Sequence, residues 1–155
     1  MTYTIGIERG DLNYAELEPN YRQHYAEMKE RLERDGIVIG DYNPRLDTYF
    51  DAFRSGWLLN YVARFNGKPV GHCNIYVTND MHNGEKIATE DVLYVLPQHR
   101  NGLGRKMAKY MMADLKARGV KRFFISPVTD LRVGKVWKRM GFREVAMQMM
   151  YNVED

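Results

Sequence analysis

The segment from Glu90 to Met107, EDVLYVLPQHRNGLGRKM, constrains this chain more than any other. An apolar run turns at Pro97 into a basic loop with two glycines, and that loop opens into an amphipathic helical pattern. The change of period predicts a strand, a tight connection and a helix in immediate succession. Such a unit suits phosphate. Unpaired first-turn N–H groups and the positive end of the helix dipole point at whatever lies over the loop, and glycines let a bulky anion approach the backbone. Arg100 and Arg105 stand at its rim, where charge-assisted contacts are available.

Around this unit the periodicities alternate in an orderly way. Tyr3 to Glu8 reads as a first strand ended by Gly10. Leu17, Tyr21, Tyr25, Met28 and Leu32 then form a helical apolar stripe up to Asp35-Gly36, with Pro19 expected to break or offset its first turn. After a Gly/Asp/Asn/Pro loop, Leu46, Tyr49, Phe50 and Phe53 share the face of a short helix that stops near Gly56. Trp57 to Phe65 and Val70 to Thr78 are strands joined through Asn66-Gly67-Lys68-Pro69, a strong hairpin signal because Asn-Gly accepts positive φ. Ile87 to Leu96 is the next strand, Gly102 to Arg118 a helix with Met107, Ala108, Met111 and Leu115 buried, and Arg122 to Ser126 a short strand. Asp130 to Met140 is a short helix ended by Gly141, and Val145 to Val153 a last alternating strand. The predicted order is β-α-α-β-β-β-α-β-α-β.

A length of 155 residues fits a single domain spanning 1–155. Apolar residues at 45% and charged residues at 28% match a globular protein rather than a disordered tail. The longest apolar runs are too short to cross a bilayer and the first ten residues lack a signal layout, so no membrane association and a cytoplasmic location are expected. Cys73 is the only cysteine, which excludes an internal disulfide. His24, His72, His82 and His99 are scattered without ligand-like spacing, so no metal is expected.

The net charge of +3 is unevenly spread: seven acids against four bases lie between Asp11 and Asp35, and eight bases against one acid between Gln98 and Arg122. The acidic stretch is a solvated face or an attractor for a cationic partner. The basic stretch suits a phosphorylated cofactor. Nucleic acid is not expected there, because the charges are few and no exposed aromatics are interleaved for base stacking.

The loop is not a nucleotide P-loop, since no Gly-Lys-Ser/Thr ending follows, and the six-residue dinucleotide fingerprint is absent. Instead Val95, Pro97 and Arg100 fall in the register Val-x-Pro-x-x-Arg, completed by Gly102 and Gly104. In this the chain resembles the GNAT superfamily of N-acetyltransferases, although the loop is one residue shorter after Arg100 than the commonest form. A second element, DLRVGKVWKRMGF from Asp130 to Phe142, resembles that family's Asn-x-x-Ala-x-x-x-Tyr-x-x-x-Gly-Phe helix, with Asp130 at the Asn position and Trp137 in place of the tyrosine. The two elements and the strand order cover roughly residues 55 to 153. In spacing the whole chain is similar to acetyltransferases encoded by phages and prophages.

The resemblance implies an α/β (α+β) GNAT fold: a mixed, mostly antiparallel sheet of six to seven strands, splayed at strand 4, with helices on both faces. It implies transfer of an acetyl group from acetyl-coenzyme A to a primary amine by direct attack in a ternary complex. The cofactor contacts it implies are Leu93, Tyr94 and Val95 on the strand, His99, Arg100, Asn101, Gly102, Leu103, Gly104 and Arg105 in the loop, and Asp130, Lys135 and Trp137 downstream. Polyamine acetyltransferases of the family carry a catalytic carboxylate four residues before the position of Val95, which is Asp91 here; its neighbour Glu90 is the second choice. Strand alternation turns only one of them inward unless a bulge intervenes. With Trp137 too weak an acid, the departing thiolate would take its proton from water or from Tyr76, Tyr94 or Tyr151. The acceptor stays open among small amines, polyamines, antibiotics and protein amines. Many relatives dimerise through their last strands, so a homodimer is the assembly this likeness brings with it. The alternative reading is a catalytically silent protein of the same fold that binds acyl-coenzyme A or a partner.

Overall fold

The β-branched and aromatic runs form five strands in one sheet, ordered β1-β2-β3-β4-β5. The computed structural model describes residues 2–127 and 131–154. β1 (Tyr3–Glu8) pairs antiparallel with β2 (Leu58–Phe65), from Tyr3 opposite Phe65 to Glu8 opposite Asn60. β2 returns directly into β3 (Lys68–Asn79) through Asn66 and Gly67, whose φ values of 50° and 85° are those a two-residue hairpin turn demands. The turn is two residues shorter than the sequence pattern implies, and Lys68 and Pro69 join the strand. β4 (Lys86–Val95) continues the antiparallel run. β5 (Arg122–Phe124) lies parallel to β4, as the crossover through helix α3 (Leu103–Ala117) requires.

Two helices precede β2: α1 (Gly10–Arg34) and α2 (Leu46–Ser55). Pro19 lies inside α1 and does not break it. It is exposed, so the carbonyl it leaves unpaired can bond water, and burial of Leu17 to one side of it offsets the cost of about 3 kcal/mol. The last helix, α4 (Gly134–Arg139), follows a 3-10 turn at Leu131–Val133.

The expected strand over 145–153 is absent. Among the described residues nothing from Arg143 onward is helix or strand, and Val145, Met147, Met149, Tyr151 and Val153, which set the alternation, are all exposed. Alternation marks a segment able to pleat, but strand stability comes from cross-strand partners, which the pattern does not supply. Among the described residues the sheet has five strands rather than the expected six to seven.

The chain forms two compact units, residues 1–21 with 44–125 and residues 22–43 with 126–155, and α1 runs from the first into the second. In the first unit, Leu103, Met107, Ala108, Met111 and Leu115 of α3 are buried. Gly71 of β3 lies under that helix: a Cβ there would stand 3.0 Å from Met107 Sδ. On the other face, Tyr21 near the middle of α1 packs its ring on His72 of β3 at 4.4 Å. In the second unit, Lys29 pairs with Asp41 at 2.7 Å and Asn152 donates to the Val38 carbonyl at 3.0 Å. Gly141 (φ 102°) closes α4, with the Phe142 amide donating to the Trp137 carbonyl.

Candidate active site

The strand pairing around Asp91 decides where its side chain goes. Asn74 stands opposite Val92 and Ile75 opposite Glu90, so Asp91 is the extra residue of a β-bulge. The bulge interrupts the alternation that would otherwise set two neighbouring acids on opposite faces. Glu90 shares the face of its partner Ile75, and Asp91 reaches α2, where the Tyr49 hydroxyl donates to its Oδ2 at 2.8 Å. Burial holds the Asp91 carboxyl above the usual carboxylate range, and the Tyr49 bond partly opposes that rise. Burial and the carboxylate together push the Tyr49 phenol far up, so it stays a donor at all ordinary pH.

Further aromatic side chains surround this pair. Tyr76, half-buried on β3, has its phenol raised by burial and then by the charge of Asp91. Trp57 stacks on Tyr76 at 5.4 Å and is 42% exposed, which puts it at the rim. Tyr14 and Tyr21 stack at 5.6 Å, with Phe50 edge-on to Tyr14. The Tyr21 hydroxyl accepts from Asn74 Nδ2 at 3.2 Å and from Asn60 Nδ2 at 3.4 Å, and burial pushes its phenol up to about 12. From Asn60 the polar chain continues through Asn13 to Glu8 and its ion pair with Arg64. Buried amides on neighbouring strands thus satisfy one another and fix the height of Tyr21 over the sheet.

The proposed donor side begins where β5 ends. The parallel pairing runs from Ile87–Arg122 to Thr89–Phe124 and stops there. Beyond Thr89, among the described residues, no strand pairs with β4 on that side. Leu93 is half-buried, while the side chains of Tyr94 and Val95 are core. Beyond Val95 a 3-10 turn (Pro97–His99) leads to Gly102, whose φ of 97° sets the start of α3. The first amides of α3, at Leu103, Gly104 and Arg105, precede the helical bonding, which starts when the Lys106 amide donates to the Gly102 carbonyl. An anion with several oxygens fits such a fan of donors.

The loop side chains divide their work. Arg105 is exposed, and among the described residues no acid pairs with it. Arg100 instead folds back, its Nε donating to the Val95 carbonyl at 2.9 Å and its guanidinium lying 5.3 Å from the Tyr94 ring. His99 Nδ1 is 2.8 Å from the Tyr3 hydroxyl, and Asn101 donates to the same oxygen at 3.4 Å, so both anchor the loop to β1. Of the basic stretch, Arg118 pairs with Asp114 and Arg122 with Asp80 and Glu85, which removes two cations from any outward surface.

Lys135 and Trp137 belong to the second unit, where Lys135 is exposed and Trp137 is buried edge-on to Phe142. Asp130 lies outside the described residues. Among the tyrosines considered as acids, Tyr151 is exposed, Tyr94 is buried and Tyr76 lies near Asp91. Sequence reasoning missed Tyr49 and Tyr21, taking both as core stripe. The available signal was the phenol itself: a tyrosine where phenylalanine would pack needs a partner for its hydroxyl.

The sheet is open, its parallel pairing stops beside a bulged strand, and a helix begins beyond that strand's carboxyl end. The model of the acetyltransferase (GNAT) family matches residues 15–142, and the chain belongs to that family. Its fold is that of several solved acetyltransferases. A GCN5-related N-acetyltransferase from Ralstonia eutropha is similar at a TM-score of 0.75 and 18% identity, covering 99% of this chain and 100% of that one. An aminoglycoside acetyltransferase from an uncultured soil metagenomic sample gives 0.71 and 17%, with the same coverage. Glucosamine-6-phosphate N-acetyltransferase from Arabidopsis thaliana gives 0.67 and 17%, again with 99% and 100% covered. No curated protein matches the chain by sequence. No helix among the described residues is long and apolar enough to cross a membrane, and no cluster of metal-ligating side chains occurs among them.

Proposed function

We propose that the protein transfers the acetyl group of acetyl-coenzyme A to a primary amine, with Asp91 as the base. The observation that carries this reading is the bulge at Asp91, which sets a carboxylate of raised proton affinity in the stretch of β4 beyond its pairing with β5. The pantetheine arm pairs with that stretch between Leu93 and Val95, and the pyrophosphate lies over the amides of residues 102–105 with Arg105 beside it. A backbone N–H of the same stretch polarises the thioester carbonyl, a role that needs no side chain.

The acceptor arrives as an ammonium ion and gives one proton to Asp91. The freed nitrogen lone pair attacks the thioester carbon, the carbon–sulfur bond breaks, and the second proton leaves the nitrogen as the thiolate is protonated through water. Family resemblance favours this direct route, and the neighbours that acetylate aminoglycosides and glucosamine 6-phosphate use the same architecture for amine acceptors. Calorimetry with acetyl-coenzyme A between micromolar and millimolar concentrations is the test, and absence of binding ends the proposal.

The second reading, a silent binder of acyl-coenzyme A, rests on Trp137, a buried indole where many relatives carry an acidic tyrosine. Release of free thiol with a screened amine separates the two, because a silent binder binds the donor without releasing thiol.

A further inference from the structure

Resting on the acyl-transfer reading, we infer that Tyr3 is a positioning residue for acetyl-coenzyme A: from β1, its hydroxyl holds the loop whose amides receive the pyrophosphate. Tyr3 itself is fixed on two sides. It faces Phe65 in the β1–β2 register, and its ring packs on that of Phe65 at 4.7 Å. One residue earlier, Thr2 exchanges two bonds with Asn66 of the hairpin turn: its amide donates to Asn66 Oδ1, and its carbonyl accepts from the Asn66 amide, each at 3.0 Å. Across 96 residues of sequence, the Tyr3 hydroxyl then meets His99 Nδ1 at 2.8 Å, and it accepts from Asn101 Nδ2 at 3.4 Å. The His99 ring lies 5.2 Å from Phe65 and edge-on to Tyr3 at 5.8 Å, so packing supports the bond.

The loop's own backbone bonds are local. The His99 amide donates to the Leu96 carbonyl and the Asn101 amide to the His99 carbonyl, which shapes the turn without tying it to β1. The Tyr3 contacts supply that tie, while Arg100, between the two residues they hold, is bonded to the Val95 carbonyl of β4. Three successive residues are thus held from two strands, and only Gly102 separates them from the start of α3. Amides grip an anion best when they are aligned before it arrives, because ordering a loop on binding subtracts conformational entropy from the affinity. The hydrogen-bond inventory also assigns a proton. A phenol has one hydrogen and two lone pairs, and Asn101 Nδ2, which can only donate, takes a lone pair. The arrangement that uses all three groups has the phenol donating to His99 Nδ1, which puts the imidazole hydrogen on Nε2, across the ring.

The test is Tyr3→Phe in the whole protein, which keeps the ring on Phe65 and removes only the hydroxyl. The variant should melt close to wild type, while calorimetry finds acetyl-coenzyme A and free coenzyme A weakened alike, about tenfold, because the loop meets the phosphate end that both share. With a screened amine, KM for acetyl-coenzyme A should rise by the same factor and kcat stay within about twofold. On a background of His99→Ala with Asn101→Ala, Tyr3→Phe should cost less than about twofold more, since the groups it acts through are gone. Long-range 1H–15N NMR at pH 8 reads the proton: His99 of the wild type should show a protonated Nε2 and a bare Nδ1, a preference that fades in Tyr3→Phe. Unchanged affinity in Tyr3→Phe, a fall in kcat at constant KM, an undiminished loss on the double-variant background, or a wild-type His99 protonated at Nδ1 overturns the inference. Failure of the acyl-transfer reading shows separately, as a wild-type protein that carries the His99 signature and does not bind acetyl-coenzyme A.

Discussion

The Tyr49 hydroxyl donates to Asp91 Oδ2 across 2.8 Å, tying helix α2 to the bulge of β4. That bond favours the charged carboxylate, while burial favours the protonated one and dominates. Tyr49→Phe removes only the first influence, so the Asp91 pKa rises further. A base works as its carboxylate, and the acidic limb of the kcat/KM profile for thiol release should therefore move to higher pH. At pH 6 the variant should lose about tenfold, while at pH 9 it stays within a few-fold of wild type. An unmoved limb would show that Asp91 is not the group titrating.

Asp91→Asn tests the same carboxylate through stability. A folded-state pKa above the unfolded value means that the protonated form is favoured by folding: its contribution is complete below the unfolded pKa and disappears as pH rises through the folded one. Asparagine is uncharged throughout and can still accept from Tyr49. At pH 8 the variant should melt about 2–4 °C higher than wild type, the shift that 1 kcal/mol produces in a chain of this size, and the difference should close toward pH 4. Its kcat/KM should meanwhile fall about 100-fold. A variant less stable than wild type at pH 8 would contradict the burial argument.

Whatever depends on neighbouring residues in the chain was legible beforehand. Asn66-Gly67 announced its hairpin, Gly119 and Gly141 their helix ends, and Glu90 to Met107 the succession of strand, loop and helix. Register put Asp91 before Glu90, but the bulge at Asp91 was not legible, because a bulge is a mismatch between two strands and leaves no mark on one of them. Tyr49 was hidden for a related reason: spacing with Leu46, Phe50 and Phe53 identifies a buried face, but not what its hydroxyl meets. The final strand does not form because Val145 to Val153 carries a pleat pattern while pairing depends on an edge elsewhere.

Gly10 makes a steric prediction. It opens α1 against the ring of Phe53 on α2, and a Cβ there would lie 2.5 Å from two ring atoms and 2.6 Å from a third. Gly10→Ala must displace the ring or the helix that carries it, and Tyr49 is one turn away on that helix. A stability loss of about 1–3 kcal/mol is expected, with reduced thiol release. Phe53→Leu in the same chain should recover part of both, as read by thermal melts and steady-state rates. If Gly10→Ala is neutral in both, α2 is not held in place by this contact.

The two glycines of the donor loop differ in a way that separates loop strain from ligand contact. Gly102 has φ 97°, a region that costs an L side chain about 1–2 kcal/mol, yet a Cβ there would meet nothing within 4 Å. Gly102→Ala should therefore lower the melting temperature of the free protein, and weaken acetyl-coenzyme A as the amides of α3 turn away. Gly104 has helical backbone, and its Cβ would meet only Val95 Cγ2 at an ordinary 3.9 Å. Gly104→Ala removes a helix-disfavouring residue and should leave melting unchanged or slightly raised. If the pyrophosphate rests on these amides, the added methyl stands where an oxygen would, and affinity should fall about tenfold without any loss of stability. Calorimetry and melting on the two variants read this directly: unchanged affinity in Gly104→Ala would move the phosphates away from the start of α3, and with them the donor side of the proposed reaction.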